Sequence, residues 1–253
     1  MLLTRIIPCL LLEGQGLVKT IKFKNPTYIG DPINAVKIFN EKESDELLVL
    51  DISNPKKFSG INFELISNIA EECFMPFSYG GGITELGQIE KLLRLGVEKV
   101  VLNSITKKDP EFINKASIAF GGSTIIVSID VKKRLFNKYG VFVKGGRSYT
   151  GFNALDHAVN AEEQGAGELI ITSMERDGTM QGYDLDLIKL ITGLVSIPVI
   201  ASGGAGEIKD FDLAINEAHA SAAAAGSIFV YHGRKKAVLI NYPTTEELEP
   251  YFT

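Results

Sequence analysis

Pro198-Val-Ile-Ala-Ser-Gly-Gly-Ala205 decides how the rest of the chain is read, because the sequence contains a second copy of its plan. Pro76-Phe-Ser-Tyr-Gly-Gly-Gly-Ile83, 122 residues earlier, again sets a proline, a short apolar run and small residues before a glycine cluster. The stretch ahead of each copy repeats at the same spacing, Leu47-Leu-Val-Leu-Asp-Ile52 answering to Leu169-Ile-Ile-Thr-Ser-Met174. Behind them, Leu102-Asn-Ser104 answers to Ala225-Gly-Ser227 with a slip of one residue. An apolar run that opens into glycine is the pattern of a buried parallel strand whose following loop brings backbone amides close to a ligand. Two such halves of about 120 residues indicate a duplicated α/β protein with two related anion sites.

Outward from these repeats, strand and helix patterns alternate without a linker. Strands are expected at Ile6–Leu12, Glu46–Ile52, Phe77 to the glycines, Lys99–Leu102, Ser123–Asp130, Glu168–Ser173, Pro198–Ser202 and Ser221–Ala224. Between them lie amphipathic segments with start signals. Asp31-Pro32 and Asp109-Pro110 supply a cap followed by proline at the first helical position, and Asn62 and Thr84 are further caps. Further helices are expected at Asn153–Gln164, Asp184–Thr192 and Glu207–Asn216. Glu13–Lys24 reads as a loop rich in glycine and lysine, Arg134–Lys144 as an inserted polar hairpin, and the end of the chain as short and irregular. Eight strand–helix units at this length predict a single (β/α)8 TIM barrel over residues 1–253. Its half-barrels fall at about 1–120 and 121–230, followed by an irregular extension over 231–253.

Composition agrees with one compact domain. Hydrophobic residues make up 45% of the 253, enough for a large core. The net charge of −5 argues against a nucleic-acid binder, and no apolar run is long enough to span a membrane. The first nine residues lack the long apolar region of a signal peptide, and Cys9 and Cys73 show no metal-like spacing, so a cytoplasmic protein with free thiols is expected. None of His157, His219 or His232 falls at a strand end; neither a metal nor another cofactor is expected.

A barrel of this kind keeps its chemistry at the carboxyl ends of its strands. Those ends carry Leu11, Asp51, Gly81 and Gly82, Asn103 and Ser104, Asp130, Ser173 to Asp177, Ser202 with Gly203 and Gly204, and Gly226 with Ser227. The paired glycine clusters have the character of phosphate cradles, which implies a ligand with a phosphate at each end lying across the barrel mouth. The plainer reading of the same glycines is tight turns.

Arg5-Ile-Ile-Pro-Cys9, Phe23-Lys-Asn25, Gly30-Asp-Pro32, Gly80-Gly-Gly-Ile83, Ile129-Asp130, Gly165-Ala-Gly-Glu168, Arg176-Asp-Gly-Thr179, Gly182-Tyr-Asp184 and Ala201-Ser-Gly-Gly-Ala-Gly206 together resemble the cyclase subunit of imidazole glycerol phosphate synthase. The resemblance implies a partner, a glutaminase subunit on the amino-terminal face whose ammonia is used on the carboxyl-terminal face. It places an ammonia gate at Arg5, Glu46, Lys99 and Glu168, for which plain strand-start salt bridges are the blander reading. It also points to ligand contacts at Lys19, Asp177, Gly178 and Thr179 beside the glycine turns, and to Asp130 as one member of a catalytic acid–base pair.

The other member is missing. The family's first aspartate, at the end of strand one, is Leu11 here, and the internal repeat makes the same point, since Pro8-Cys-Leu-Leu11 is the counterpart of Val127-Ser-Ile-Asp130. A leucine moves no proton, and losing one partner of such a pair removes a factor of about 10² to 10⁴. The glycine after the loop lysine is Thr20, and the family's last helix gives way to Val238-Leu-Ile-Asn-Tyr-Pro243 and an acidic tail. Leu11, Phe23-Lys-Asn-Pro26 and Val238–Pro243 are similar to the cyclase-like paralogue associated with glycosyl amidation in surface-polysaccharide pathways. That resemblance implies an ammonia-delivering subunit with an ATP-dependent sugar amidotransferase as a further partner. The alternative is a working cyclase with Asp51 or Lys19 as substitute acid.

Overall fold

A computed structural model of the protein describes residues 4–54, 58, 60–135, 138–233 and 235–252. The chain opens with β1 (Arg5–Glu13), turns at Gly14 and returns as β2 (Gly16–Ile21), which pairs antiparallel with β1 and with β3 (Lys24–Gly30). Next come α1 (Pro32–Glu41), β4 (Leu47–Asp51), α2 (Phe63–Glu72), β5 (Phe77–Gly80), α3 (Leu86–Arg94) and β6 (Lys99–Leu102). A short α4 (Ile105–Lys108) precedes α5 (Phe112–Phe120) and β7 (Ile125–Lys133), which runs on into a hairpin of β8 (Tyr139–Val143) and β9 (Ser148–Asn153). The chain continues through α6 (Ala154–Glu163), β10 (Glu168–Ser173), α7 (Leu185–Thr192), β11 (Val199–Ser202), α8 (Ile208–Asp212) and β12 (Ala222–Ala225). It ends with α9 (Ser227–Val230), the paired β13 (Tyr231–His232) and β14 (Ala237–Val238), and α10 (Thr245–Phe252).

Eight parallel strands close on themselves in the order β1, β4, β5, β6, β7, β10, β11, β12 and back to β1. This is a single (β/α)8 barrel. Strand side chains alternate between faces, so each strand feeds two cores. One lies between sheet and helices and includes Leu47, Val49, Tyr79, Val127, Leu169 and Ala223. The other fills the lumen with Ile7, Cys9, Leu48, Val101, Ile126, Ile170, Ile200, Ala222 and Ala224, and Leu11 and Leu50 cover its upper end. The alanines of β12 supply the small residues on both faces, narrowing the wall of the barrel there.

Several sequence-based expectations are corrected. Glu13–Lys24 is largely a hairpin: the glycine turn at Gly14 (φ 69°) reverses the chain, and Leu17, Val18, Lys19 and Thr20 are all buried. The Arg134–Lys144 hairpin extends to Asn153; residues 136–137 lie outside the described residues. Asp31 caps α1 as expected, accepting from the Asn34 N–H. Thr84 does not cap α3; Glu85 does, with Gln88 completing a reciprocal box. Asp109 accepts from Glu111 N at 3.1 Å, which delays the start of α5 until Phe112. The helix expected over Glu207–Asn216 widens into a π turn over Leu213–Glu217. The tail is ordered, ending in α10.

Candidate functional site

At the carboxyl-terminal mouth, Asp130 ends the barrel part of β7 with its side chain turned into the lumen, 8% exposed. Asn103, from the end of β6, donates from Nδ2 both to Asp130 Oδ2 (3.1 Å) and to the Ser128 carbonyl (3.0 Å). Burial pushes the Asp130 carboxyl up to about 7; the Asn103 bond works against this, and nearby Asp177 adds to it. A carboxyl poised near neutrality can give and take a proton, which is what general acid–base chemistry asks of it.

Lys19 reaches the same mouth from β2. Its side chain is buried, forms no ion pair among the described residues, and lies against Gly226, where a Cβ would overlap its Nζ. It lines one cleft with Cys9, Leu11, Asp177, Gly178, Ser202, Gly203, Gly204, Gly226 and Ser227. The free space there is about 30 Å³, room for about two waters. The β2–β3 hairpin closes it: Thr20 Oγ1 donates to Asp177 Oδ2 at 3.1 Å and the Lys22 N–H to the Asp177 carbonyl at 2.9 Å. Phe23, at the turn of that hairpin, packs on Gly146 in the turn between β8 and β9, so the two hairpins meet over the mouth. Thr20, the residue that departs from the expected glycine, thus ties β2 to the turn after β10. Burial raises the Asp177 carboxyl, while Lys19 and the Thr20 hydroxyl pull it back.

The second glycine turn lies at the ends of β5 and β6. Gly81 (φ 123°) presses on Asp51 so closely that a Cβ would meet the Asp51 Cβ at 2.7 Å, and Gly82 follows at φ 69°. Ser104 Oγ, exposed at the rim, donates to Asn103 Oδ1 (3.2 Å) and accepts from Lys144 N (3.0 Å), which ties the β8–β9 turn to it.

Two residues stand apart. Asp51 follows the outward parity of Leu47 and Val49; its Oδ1 accepts from Ser53 N at 2.8 Å and its Oδ2 from the Tyr79 hydroxyl at 3.4 Å. Those bonds hold it beneath the Gly81 turn, away from the lumen, and it does not face Leu11 as a substitute acid would. Thr179 donates its hydroxyl to the Arg176 carbonyl at 2.6 Å, closing its own turn.

At the opposite end of the lumen, Arg5, Glu46, Lys99 and Glu168 meet. Arg5 Nη1 contacts Glu46 Oε2 at 2.7 Å, its Nη2 contacts Glu168 Oε1, and Lys99 Nζ reaches Glu168 Oε2 at 3.1 Å. Both carboxylates are buried, and the ring of two cations and two anions sums to zero. Ser78, unremarked in the sequence, donates to Glu46 Oε1 at 3.0 Å. Its signal was available: it sits two residues before Gly80 and so shares the lumen-facing parity of β5. Cys9, midway between ring and mouth, has its thiol pushed up to about 11 by burial. Among the described residues no three His, Cys, Asp or Glu side chains could hold a metal ion, and no helix is long and apolar enough to cross a membrane.

Residues 5–236 match the histidine biosynthesis protein family. A Leptospira interrogans protein provisionally named imidazole glycerol phosphate synthase subunit HisF is 46% identical over 253 residues, the full length of both chains. A Pseudomonas aeruginosa protein, provisionally named subunit hisF2, is 46% identical over 97% of this chain and 98% of its own. Trichormus variabilis imidazole glycerol phosphate synthase subunit HisF is 41% identical over 96% and 95%.

Proposed function

The chain belongs to the histidine biosynthesis protein family, among the HisF-like synthase subunits, and from that premise we propose that it delivers ammonia within a glutamine amidotransferase system rather than closing the imidazole ring itself. A glutaminase partner docks on the amino-terminal face. Its ammonia passes the ring of Arg5, Glu46, Lys99 and Glu168 and leaves at the mouth, where a separate enzyme uses it, in acetamidino-sugar formation for surface polysaccharide. The lumen is suited to such passage, since Ile7, Leu48, Val101, Ile126, Ile170 and the alanines of β12 admit neutral ammonia and penalise ammonium, whose charge they cannot pair. The turns at Gly81–Gly82 and Gly203–Gly204, with Asn103, Ser104, Gly226, Ser227 and Lys19, hold a ligand's two phosphates. The half-barrel duplication belongs to the same reading. Its support is that the first strand of each half, β1 and β7, is nine residues long and runs on into a hairpin.

The observation that carries the proposal is Leu11. It lines the mouth where the proton-transfer partner of Asp130 belongs, and it leaves Asp130 alone. The purified chain, given ammonium and the cyclase's two-phosphate substrate, should turn over at least about 10²-fold more slowly than a complete acid–base pair allows. Leu11→Asp should recover part of that loss. Turnover by the natural chain at about 1 per second or faster overturns the delivery reading. One observation favours the cyclase instead: Lys19 is buried in the same cleft as Leu11, where its ammonium could replace the missing acid. Lys19→Met at saturating substrate separates the two: residual turnover vanishes if the lysine is that acid, whereas loss of a phosphate contact alone raises KM and spares kcat.

A further inference from the structure

The ladder between β1 and β4 begins at Cys9 and Leu48. Three residues below, at the register of Ile6 and Asp45, which flank the Arg5–Glu46 ion pair, no strand pairing joins the two segments. A side-chain link takes its place. The Ile6 N–H donates to Asp45 Oδ2 at 2.9 Å. The Tyr242 hydroxyl, arriving from the far end of the chain, shares its proton between the Ile6 carbonyl (2.8 Å) and the same Asp45 Oδ2 (3.2 Å). Both backbone polar groups of Ile6 are thereby engaged. Ile6 follows Arg5, and Asp45 precedes Glu46, so the two residues that Tyr242 ties together are the immediate neighbours of one ion pair of the ring.

We propose that Tyr242 is a positioning residue for the Arg5–Glu46 side of the charged ring, and that the segment from Leu239 to Pro243 is a strap that brings it there. The inference rests on the ammonia-delivery reading of that ring. The strap is fixed independently of the hydroxyl. Leu239 N donates to the Val230 carbonyl and Asn241 N to the Phe229 carbonyl, each at 2.9 Å. The Tyr242 ring is 4% exposed and packs on Phe229 (centroids 5.4 Å apart), which stacks on Phe211 and meets Phe39 edge-on. Phenylalanine at 242 therefore keeps the packing and removes only the tie. Among the described residues, the Ile6 N–H bond to Asp45 is then the only side-chain link left at this register, and Arg5 gains freedom to leave the lumen axis. A group one step behind the residues that act sets their orientation, as the partners of metal ligands do for theirs.

The test compares Tyr242→Phe with Lys99→Ala in the complex of this chain with its glutaminase, supplied with the ammonia-consuming enzyme and its acceptor. Glutamate formed per amidated product is measured, along with the product rate driven by external ammonium, which bypasses the ring. Tyr242→Phe should raise the glutamate-to-product ratio about fivefold or more, leaving the ammonium-driven rate and the melting temperature nearly unchanged. A crystal structure of the variant should show the Arg5–Glu46 contact, 2.7 Å here, opened while the Phe229 packing persists. If Lys99→Ala uncouples and Tyr242→Phe does not, the positioning role is wrong and the ring reading stands. If neither uncouples, the ring reading itself fails. Equal loss of the glutamine- and ammonium-driven rates, or an unchanged Arg5–Glu46 contact, marks Tyr242 as merely structural and overturns the proposal.

Discussion

Asp130 sits in the mouth as a carboxyl group that folding makes harder to ionise. Its folded-state value of about 7 lies above the ordinary 3.8, so the folded chain holds a proton that the unfolded chain has released between those limits. Stability from this group is therefore present below about pH 4 and is lost as pH rises through about 7. The gap sets a ceiling of about 4 kcal/mol, and water entering the mouth brings the expected figure nearer about 2 kcal/mol. Asp130→Asn should match the natural chain in urea unfolding at pH 4 and exceed it by that amount at pH 8.5; equal stability at both pH values would falsify the buried-acid account. Leu11 was legible at this scale because the repeat aligned it with Asp130. The engagement of Asp51 was not: its neighbours Ser53 and Tyr79 bind it through geometry that strand parity alone only half reveals.

Among the elements, the β2–β3 hairpin shows how polar sequence can conceal a buried strand. Three lysines and two glycines within Gly14–Lys24 look solvated, yet Lys19 lays its stem along apolar surface and buries its ammonium beside Gly226. Two substitutions separate docking of the hairpin from placement of that ammonium. Gly178 has φ 70° and presses on the Thr20 carbonyl, so Gly178→Ala forces backbone against backbone and should cost about 2 kcal/mol or more. Gly226 has an ordinary φ of −121°, and a methyl there overlaps the flexible end of Lys19 and, less severely, presses on the Cys9 carbonyl at 2.9 Å. Gly226→Ala should lose less stability but weaken inorganic phosphate binding, followed by calorimetric titration, about tenfold. Unchanged phosphate affinity in Gly226→Ala would remove Lys19 from the anion site. The glycine clusters themselves were visible as a repeat; the bond from Lys144 N to Ser104 was not, since residues 40 apart in sequence carry no local pattern.

For the molecule as a whole, the barrel was readable because strands buried on both faces appear as unbroken apolar runs between cap and turn signals. What local pattern does not show depends on contacts between distant segments: Ser78 on Glu46, Thr20 on Asp177, and the tail on β1. The charge balance of the ring gives a prediction at the same scale. Glu168 is held by both Arg5 and Lys99, so Lys99→Ala leaves no buried carboxylate unpaired and should spare the fold, whereas losing a sole partner costs about 3–5 kcal/mol. Ammonia should then escape to solvent, and glutamine consumption should outrun product several-fold in a coupled assay; unchanged coupling removes the gate role. The tie from Tyr242 to Ile6 spans 236 residues, nearly the whole chain. Synthesis runs from the first strand to the last, at about 5–20 residues per second. The foot of β1 thus leaves the ribosome well before Tyr242 is made, and its bonding is complete only once that residue has arrived. A product ending before residue 242 carries all eight strands yet lacks this bond, so a change made late in the chain reaches the residues made first.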